Sequence, residues 1–135
     1  MAEAYIVDAI RTPVGKKKGS LAAEHPADLG AHSLKHLMSR TDIDPAAVED
    51  VVFGCVDTIG PQAGDIARTC WLAAGLPEEV PGTTIDRQCG SSQQAVHFAA
   101  QGVMLSPLHI SQPTIPYHTS YAAYCFKQPT QSQTI

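Results

Sequence analysis

An α/β fold is predicted, in which parallel strands alternate with helices through right-handed crossovers. Three observations carry that expectation. Three short apolar runs, at residues 4–10, 51–56 and 83–85, have the length and composition of buried strands. Between them lie segments with helical spacing of apolar positions, bounded by capping residues, proline and glycine. After the third run comes a helical pattern with no charged face, since residues 88–126 contain no Asp, Glu, Lys or Arg.

The first run, Ala4-Tyr5-Ile6-Val7-Asp8-Ala9-Ile10, suits a buried strand. Arg11-Thr12-Pro13 breaks it, and a loop with Gly15 and Gly19 follows. Asp28 is placed to cap a helix over 28–41, whose apolar side uses Leu34, Leu37 and Met38. Asp44-Pro45 sets a capping residue before a proline at the first helical position, which predicts a short helical turn. Val51-Val52-Phe53-Gly54-Cys55-Val56 is the second strand. A second helix over 63–74 places Ile66, Ala67, Cys70, Ala73 and Ala74 on one side, and Gly75 with Pro77 beyond it supplies the stop. Thr83-Thr84-Ile85 is the third strand. The third helix, 90–104, has Ala95, Val96, Phe98, Ala99, Ala100, Val103 and Met104 and should be buried on most sides, as a central helix between two sheets is.

At 135 residues the chain is one domain at most, long enough to bury roughly two-thirds of its unfolded surface. A net charge of −4 and a pI near 5.8 argue against a nucleic-acid partner. No stretch approaches the roughly 20 apolar residues of a membrane span. Residues 1–10 lack the basic start and apolar run of a signal peptide, so a cytoplasmic location is expected. Cys55, Cys70, Cys89 and Cys125 stand far apart with no Cys-x-x-Cys pair and no His/Cys ligand spacing, so neither zinc nor a disulfide framework is expected. Cys55 and Cys70 fall in a strand and on the apolar side of a helix, where core packing is the expected role.

Cys89 is different. It follows Thr83-Thr84-Ile85 and the charged pair Asp86-Arg87, and it precedes Gly90-Ser91-Ser92 at the opening of the third helix. A cysteine is most often a small buried hydrophobe. At a helix N-terminus, however, the first-turn N–H groups have no intrahelical partner and the dipole end is positive, which favours a thiolate. The small residues after it leave room for a substrate carbonyl beside the sulfur, with backbone N–H groups at hand for an oxyanion.

The run Asp86-Arg87-Gln88-Cys89-Gly90-Ser91 resembles the reactive-cysteine motif of the thiolases, the acyl-CoA C-acyltransferases. Tyr5-Ile6-Val7-Asp8-Ala9-Ile10-Arg11-Thr12-Pro13-Val14-Gly15-Lys16 is similar to the opening strand and loop of that family. Val51-Val52-Phe53-Gly54 and the stretch from Ala67-Arg68 to Ala73-Ala74-Gly75-Leu76-Pro77 resemble its next strand and helix. The likeness covers residues 4–104. It implies an incomplete thiolase-like N-terminal half of a two-half α-β-α-β-α architecture, with Cys89 as the acyl-thioester nucleophile. Coenzyme A thioesters are then the substrates, without a resident cofactor, and a homo-oligomer (dimer or tetramer) is implied. The strand leading to the cysteine contributes to a dimer contact in the family, so residues 83–87 are interfacial candidates. Lys16-Lys17-Lys18 could attract coenzyme A phosphates, but a solvated loop is the better reading.

Two departures accompany the likeness. Thiolases commonly have glycine two or three residues after the cysteine, where Ser91-Ser92 stand here. The family also uses a histidine to activate the cysteine and a second cysteine to move the substrate α-proton, in Gly-His-Pro and Cys-x-Gly motifs. Neither motif occurs in these 135 residues. His97 is no substitute, because eight helical residues put it roughly 12 Å along the axis from Cys89. His25, His32, His36, His109 and His118 have no motif context.

Residues 105–135 form a second region, rich in Ser, Thr, Gln and Pro, with Lys127 its only Lys, Arg, Asp or Glu. It is expected to be an irregular tail. An abrupt change of this kind is the mark of a frame shift, a retained intron or a truncated gene model, against an evolved tail. The expected function is the N-terminal portion of a thiolase-type acyltransferase, inactive as this chain alone. The alternative is a non-catalytic piece that at most associates with full-length thiolase subunits.

Overall fold

The computed structural model describes residues 3–105 together with Gln112 and Pro113. The elements are α1 (Pro26–Thr41), a 3-10 turn (Pro45–Ala47), β1 (Val51–Gly54), a second 3-10 turn (Gly60–Gln62), α2 (Ile66–Ala73), β2 (Gly82–Ile85), α3 (Ser91–Leu105) and β3 (Gln112–Pro113). The sheet runs β2-β1-β3 with both pairings parallel. β1 meets β2 in the register Val51 to Gly82 through Gly54 to Ile85. One more bond, from the N–H of Cys55 to the carbonyl of Ile85 at 3.0 Å, carries the pairing past the strand end.

β1 is the keel because both of its faces are covered. Successive strand side chains point to opposite faces. Val51, Phe53 and Cys55 enter one core with Ala31, Leu34 and Leu37 of α1 and Ile66, Cys70 and Trp71 of α2. Val52 enters the other, with Ala95, Ala99 and Val103 of α3. The result is three layers: α1 with α2, the sheet, and α3.

The caps explain where the helices start. Pro26 takes the first position of α1, and the His25 ring nitrogen Nδ1 accepts from the N–H of Ala27 at 3.2 Å. Asp28 therefore lies inside the first turn rather than capping it, because proline sets the start two residues earlier. Asp44 accepts from the N–H of Ala46 and opens the short turn as expected. Asp65 accepts from the N–H of Arg68, so α2 begins at Ile66 rather than 63. Gly75, at φ +71°, ends it. The buried stripe of α2 is Ile66, Ala67, Cys70, Trp71 and Ala74. Trp71 replaces Ala73 in it, four residues on from Ala67, and its indole Nε1 donates to the carbonyl of Pro77 at 2.7 Å.

Two expectations are corrected. Residues 4–10 form no strand. Tyr5, Ile6 and Val7 are exposed, and among the described residues no neighbouring strand offers them a ladder, so an apolar run of strand composition stays unpaired. α3 is not buried on most sides. Phe98 is 50% and Met104 43% exposed, because the described residues supply one sheet for it to pack on and not two. Past residue 104, Leu105 closes α3, and Gln112 and Pro113 lie parallel to Val51 and Val52. A proline is tolerated there because β3 is an edge strand. The remainder of the expected irregular tail, with Cys125, lies outside the described residues.

Candidate active site

β2 delivers the chain to Cys89. Thr84 is fastened to the helix behind it: its hydroxyl donates to an Asp65 carboxylate oxygen at 2.6 Å and accepts from the N–H of Ala67 at 3.0 Å. Gly82, at the strand's start, lies so close to α2 that a Cβ there would sit 2.6 Å from the backbone nitrogen of Arg68. The Arg68 guanidinium in turn donates to the carbonyls of Glu78 and Val80, holding the loop into β2.

After Ile85 the backbone turns. Asp86 accepts from the N–H of Gln88 and from its side-chain amide, both at 3.2 Å, the local bonding that aspartate uses to close turns. The carboxylate thus faces Gln88, and no bond joins it to the Arg87 side chain. Cys89 stands at the tip of the turn, exposed, with φ +44°. That is the left-handed region, which a residue with a side chain enters only when its surroundings hold it there. Gly90 then gives its carbonyl to the N–H of Gln94 at 3.0 Å, the first bond of α3.

The small residues after the cysteine anchor the start of α3. Ser91 and Ser92 are buried and seat the helix. The Ser91 hydroxyl accepts from the N–H of Arg87 at 2.9 Å, and the Ser92 hydroxyl donates to the carbonyl of Gly54 at 3.5 Å. A Cβ on Gly54 would lie 2.2 Å from the backbone nitrogen of Ser92, so the start of α3 rests directly on the β1 backbone. The N–H of Gly90 bonds back to the carbonyls of Arg87 and Gln88. It is committed within the turn.

The cysteines separate by position. Cys55 and Cys70 are buried, as expected from packing. Burial pushes the Cys70 thiol up to about 12, with Cys55, Asp28 and Asp65 adding to it. Burial first, then Asp86 and Asp57, raises Cys55. Cys89 alone of the three described cysteines is open to solvent. His97 is exposed on α3, as are Lys16, Lys17 and Lys18 in their loop. Among the described residues no cluster of three or more His, Cys, Asp or Glu is arranged for a metal ion, and no helix is long and apolar enough to cross a membrane.

Gly54 is the site residue whose role the sequence left unstated. The available signal was a glycine closing an otherwise apolar buried run, a common sign of close backbone approach.

A parallel sheet with helices on both faces, and an exposed cysteine on the turn between β2 and α3, define an α/β domain. The thiolase N-terminal domain profile matches residues 4–110, and the chain belongs to the thiolase family. It is 67% identical over 104 residues to the steroid 3-ketoacyl-CoA thiolase FadA6 of Mycobacterium tuberculosis, covering 77% of this chain and 26% of that protein. A 3-ketoacyl-CoA thiolase of Erwinia tasmaniensis is 46% identical over 107 residues, 78% of this chain and 28% of its own length. The crystal structure of the Bacillus anthracis acetyl-CoA acetyltransferase superposes with a TM-score of 0.71 at 35% identity, over 77% of this chain and 26% of that one. The chain therefore spans about a quarter of the length of the relatives it matches.

Proposed function

We propose that Cys89 is the acyl-accepting nucleophile of a thiolase reaction on 3-ketoacyl-CoA or acyl-CoA thioesters. The observation that carries this is the exposed thiol held at φ +44° before α3, in a chain of the thiolase family. The relatives named as 3-ketoacyl-CoA thiolases support the substrate class. In the acyl transfer the Cys89 sulfur bonds to the thioester carbonyl carbon and the carbon–sulfur bond to coenzyme A breaks. Coenzyme A leaves as its thiolate and takes up the proton that Cys89 has given up. One thioester replaces another, so the step is close to balanced and reversible.

Carbon–carbon bond formation or cleavage needs more, namely a group that moves a proton at the substrate α-carbon. The motifs that carry it in the family, with the activating histidine, do not occur in these residues. General acid–base assistance is worth about 10²–10⁴ for each proton transfer. The 135-residue chain alone is therefore expected to form an acyl-enzyme slowly and to turn over nothing. The same reading carries a homo-oligomer in the complete protein, with residues 83–87, in the edge strand β2 and just after it, as a contact candidate.

The test is intact-mass analysis after incubation with acetyl-CoA, alongside a thiolysis and condensation assay. An acetyl adduct that disappears in Cys89→Ala, with both assays silent, is the expected result. Turnover by the purified chain, or an adduct retained in Cys89→Ala, would overturn it. The alternative of a non-catalytic chain that associates with complete thiolase subunits draws on the exposed Tyr5, Ile6, Val7 and Phe98. Acyl transfer to Cys89 in the absence of any other subunit counts against that alternative.

A further inference from the structure

Two attachments bracket Cys89. Downstream, α3 is seated on Gly54 through the backbone of Ser91 and Ser92. Upstream, the N–H of Arg87 donates to the Ser91 hydroxyl at 2.9 Å, so a buried side chain from the first turn of α3 reaches back across the turn that carries the cysteine. Ser91 is 3% exposed, whereas Asp86, Arg87, Gln88 and Cys89 are all exposed. An exposed turn with a non-glycine residue at positive φ relaxes unless it is held from both ends. Ser92 and Gly54 fix where the helix begins, and the Ser91 bond fixes where the turn begins.

We propose that Ser91 is a positioning residue for Cys89: its hydroxyl, as acceptor for the Arg87 N–H, keeps the cysteine in the left-handed conformation on the turn that precedes α3. Ser91 acts through the backbone of Arg87 and not on the substrate. The inference rests on Cys89 being the nucleophile. It goes further in assigning a role to the serine that stands among the residues after the cysteine. Without the bond, Cys89 relaxes toward negative φ and its sulfur is no longer held in one orientation on the turn.

The experiment compares Ser91→Thr with Ser91→Val, a pair of matched shape of which only threonine keeps the hydroxyl, together with Ser91→Ala. Three quantities are read on the 135-residue chain: iodoacetamide labelling of Cys89, hydrogen exchange at the Arg87 amide, and the thermal transition. Ser91→Ala and Ser91→Val should slow labelling about tenfold and speed exchange at Arg87, while Ser91→Thr keeps wild-type values of both. The thermal transitions of the threonine and valine variants should lie close together, which separates positioning from general loosening. Equal labelling in the threonine and valine variants, or unchanged Arg87 exchange in Ser91→Ala, overturns the proposal. Labelling and exchange involve no coenzyme A, so they read positioning independently of acetyl transfer. Failure of the wild-type chain to take an acetyl group counts against the proposed function, and the labelling comparison still decides the role of Ser91.

Discussion

The two faces of the sheet are built differently. On one, α1 and α2 bury a broad core around Leu37, Phe53, Cys70 and Trp71, and Gly30 lets the helices close until a Cβ there would lie 2.4 Å from the Cys70 sulfur. On the other, α3 contributes a narrow stripe of small side chains, Ala95, Ala99 and Val103, against Val52, and leaves Phe98 and Met104 half in water. The first face is finished within the described residues; the second has one covered side only. The exposed cysteine, Cys89, stands at the start of the helix on the second. The difference teaches that the broad core and the exposed cysteine lie on opposite sides of β1, with Gly54 the point where the start of α3 meets the strand.

The sharpest way to break that contrast is to truncate one aromatic on each face. Trp71→Ala removes a side chain 1% exposed and its bond to Pro77, and should cost about 4 kcal/mol in urea unfolding. Phe98→Ala should change stability by less than about 0.5 kcal/mol, since the ring is half exposed already. Equal losses would show that α3 is as well packed as α2.

A second, smaller effect comes from pH. The Cys70 thiol stands at about 12 in the folded chain against an ordinary 9.0, so the native state holds its proton where the unfolded chain gives it up. That contribution is complete below about pH 9 and is lost as pH rises toward 12, at about 1.4 kcal/mol per unit. Unfolding curves at pH 8, 9 and 10 should show the decline setting in above 9, and Cys70→Val should flatten part of it. A decline that begins below pH 8 would place its origin elsewhere.

The smallest effect is a gain. Cys89→Gly removes a side chain from the left-handed region and should stabilise the chain by about 1 kcal/mol while abolishing acyl transfer. Cys89→Ala keeps the strain and should gain nothing. At this position stability is expected to rise as acyl transfer is lost, and thermal melts of the two variants check it.

Much of this was legible beforehand. Capping residues and proline marked the Asp44 turn and the start of α1 to within two residues, and Gly75 marked the end of α2. β1 and β2 showed as apolar runs, and Cys89 stood out by its place between a strand and a helix and by its motif. The failures have one physical cause. Residues 4–10 have strand composition, yet a strand exists only with a partner, and composition does not say which partner is present. Phe98 has core chemistry, but the described part of the chain brings no second layer to cover it. Nothing in the residue order near Cys89 showed that Ser91 and Ser92 would rest on the backbone of β1 at Gly54.

Local chemistry, then, was settled by the amino-acid order: where helices are capped, which runs favour extended backbone, and which cysteine sits at a helix start. These depend on neighbours within a few residues, whose interactions are already present in the sequence. Tertiary structure alone decided that Cys89 takes φ +44°, that the Ser91 hydroxyl turns back to Arg87, and that Gly54 admits the start of α3. Ser92 lies 38 residues from Gly54 along the chain. A contact of that kind exists only once the parallel crossover has brought a strand and a distant helix together, because sequence spacing carries no distance between elements until the sheet has paired.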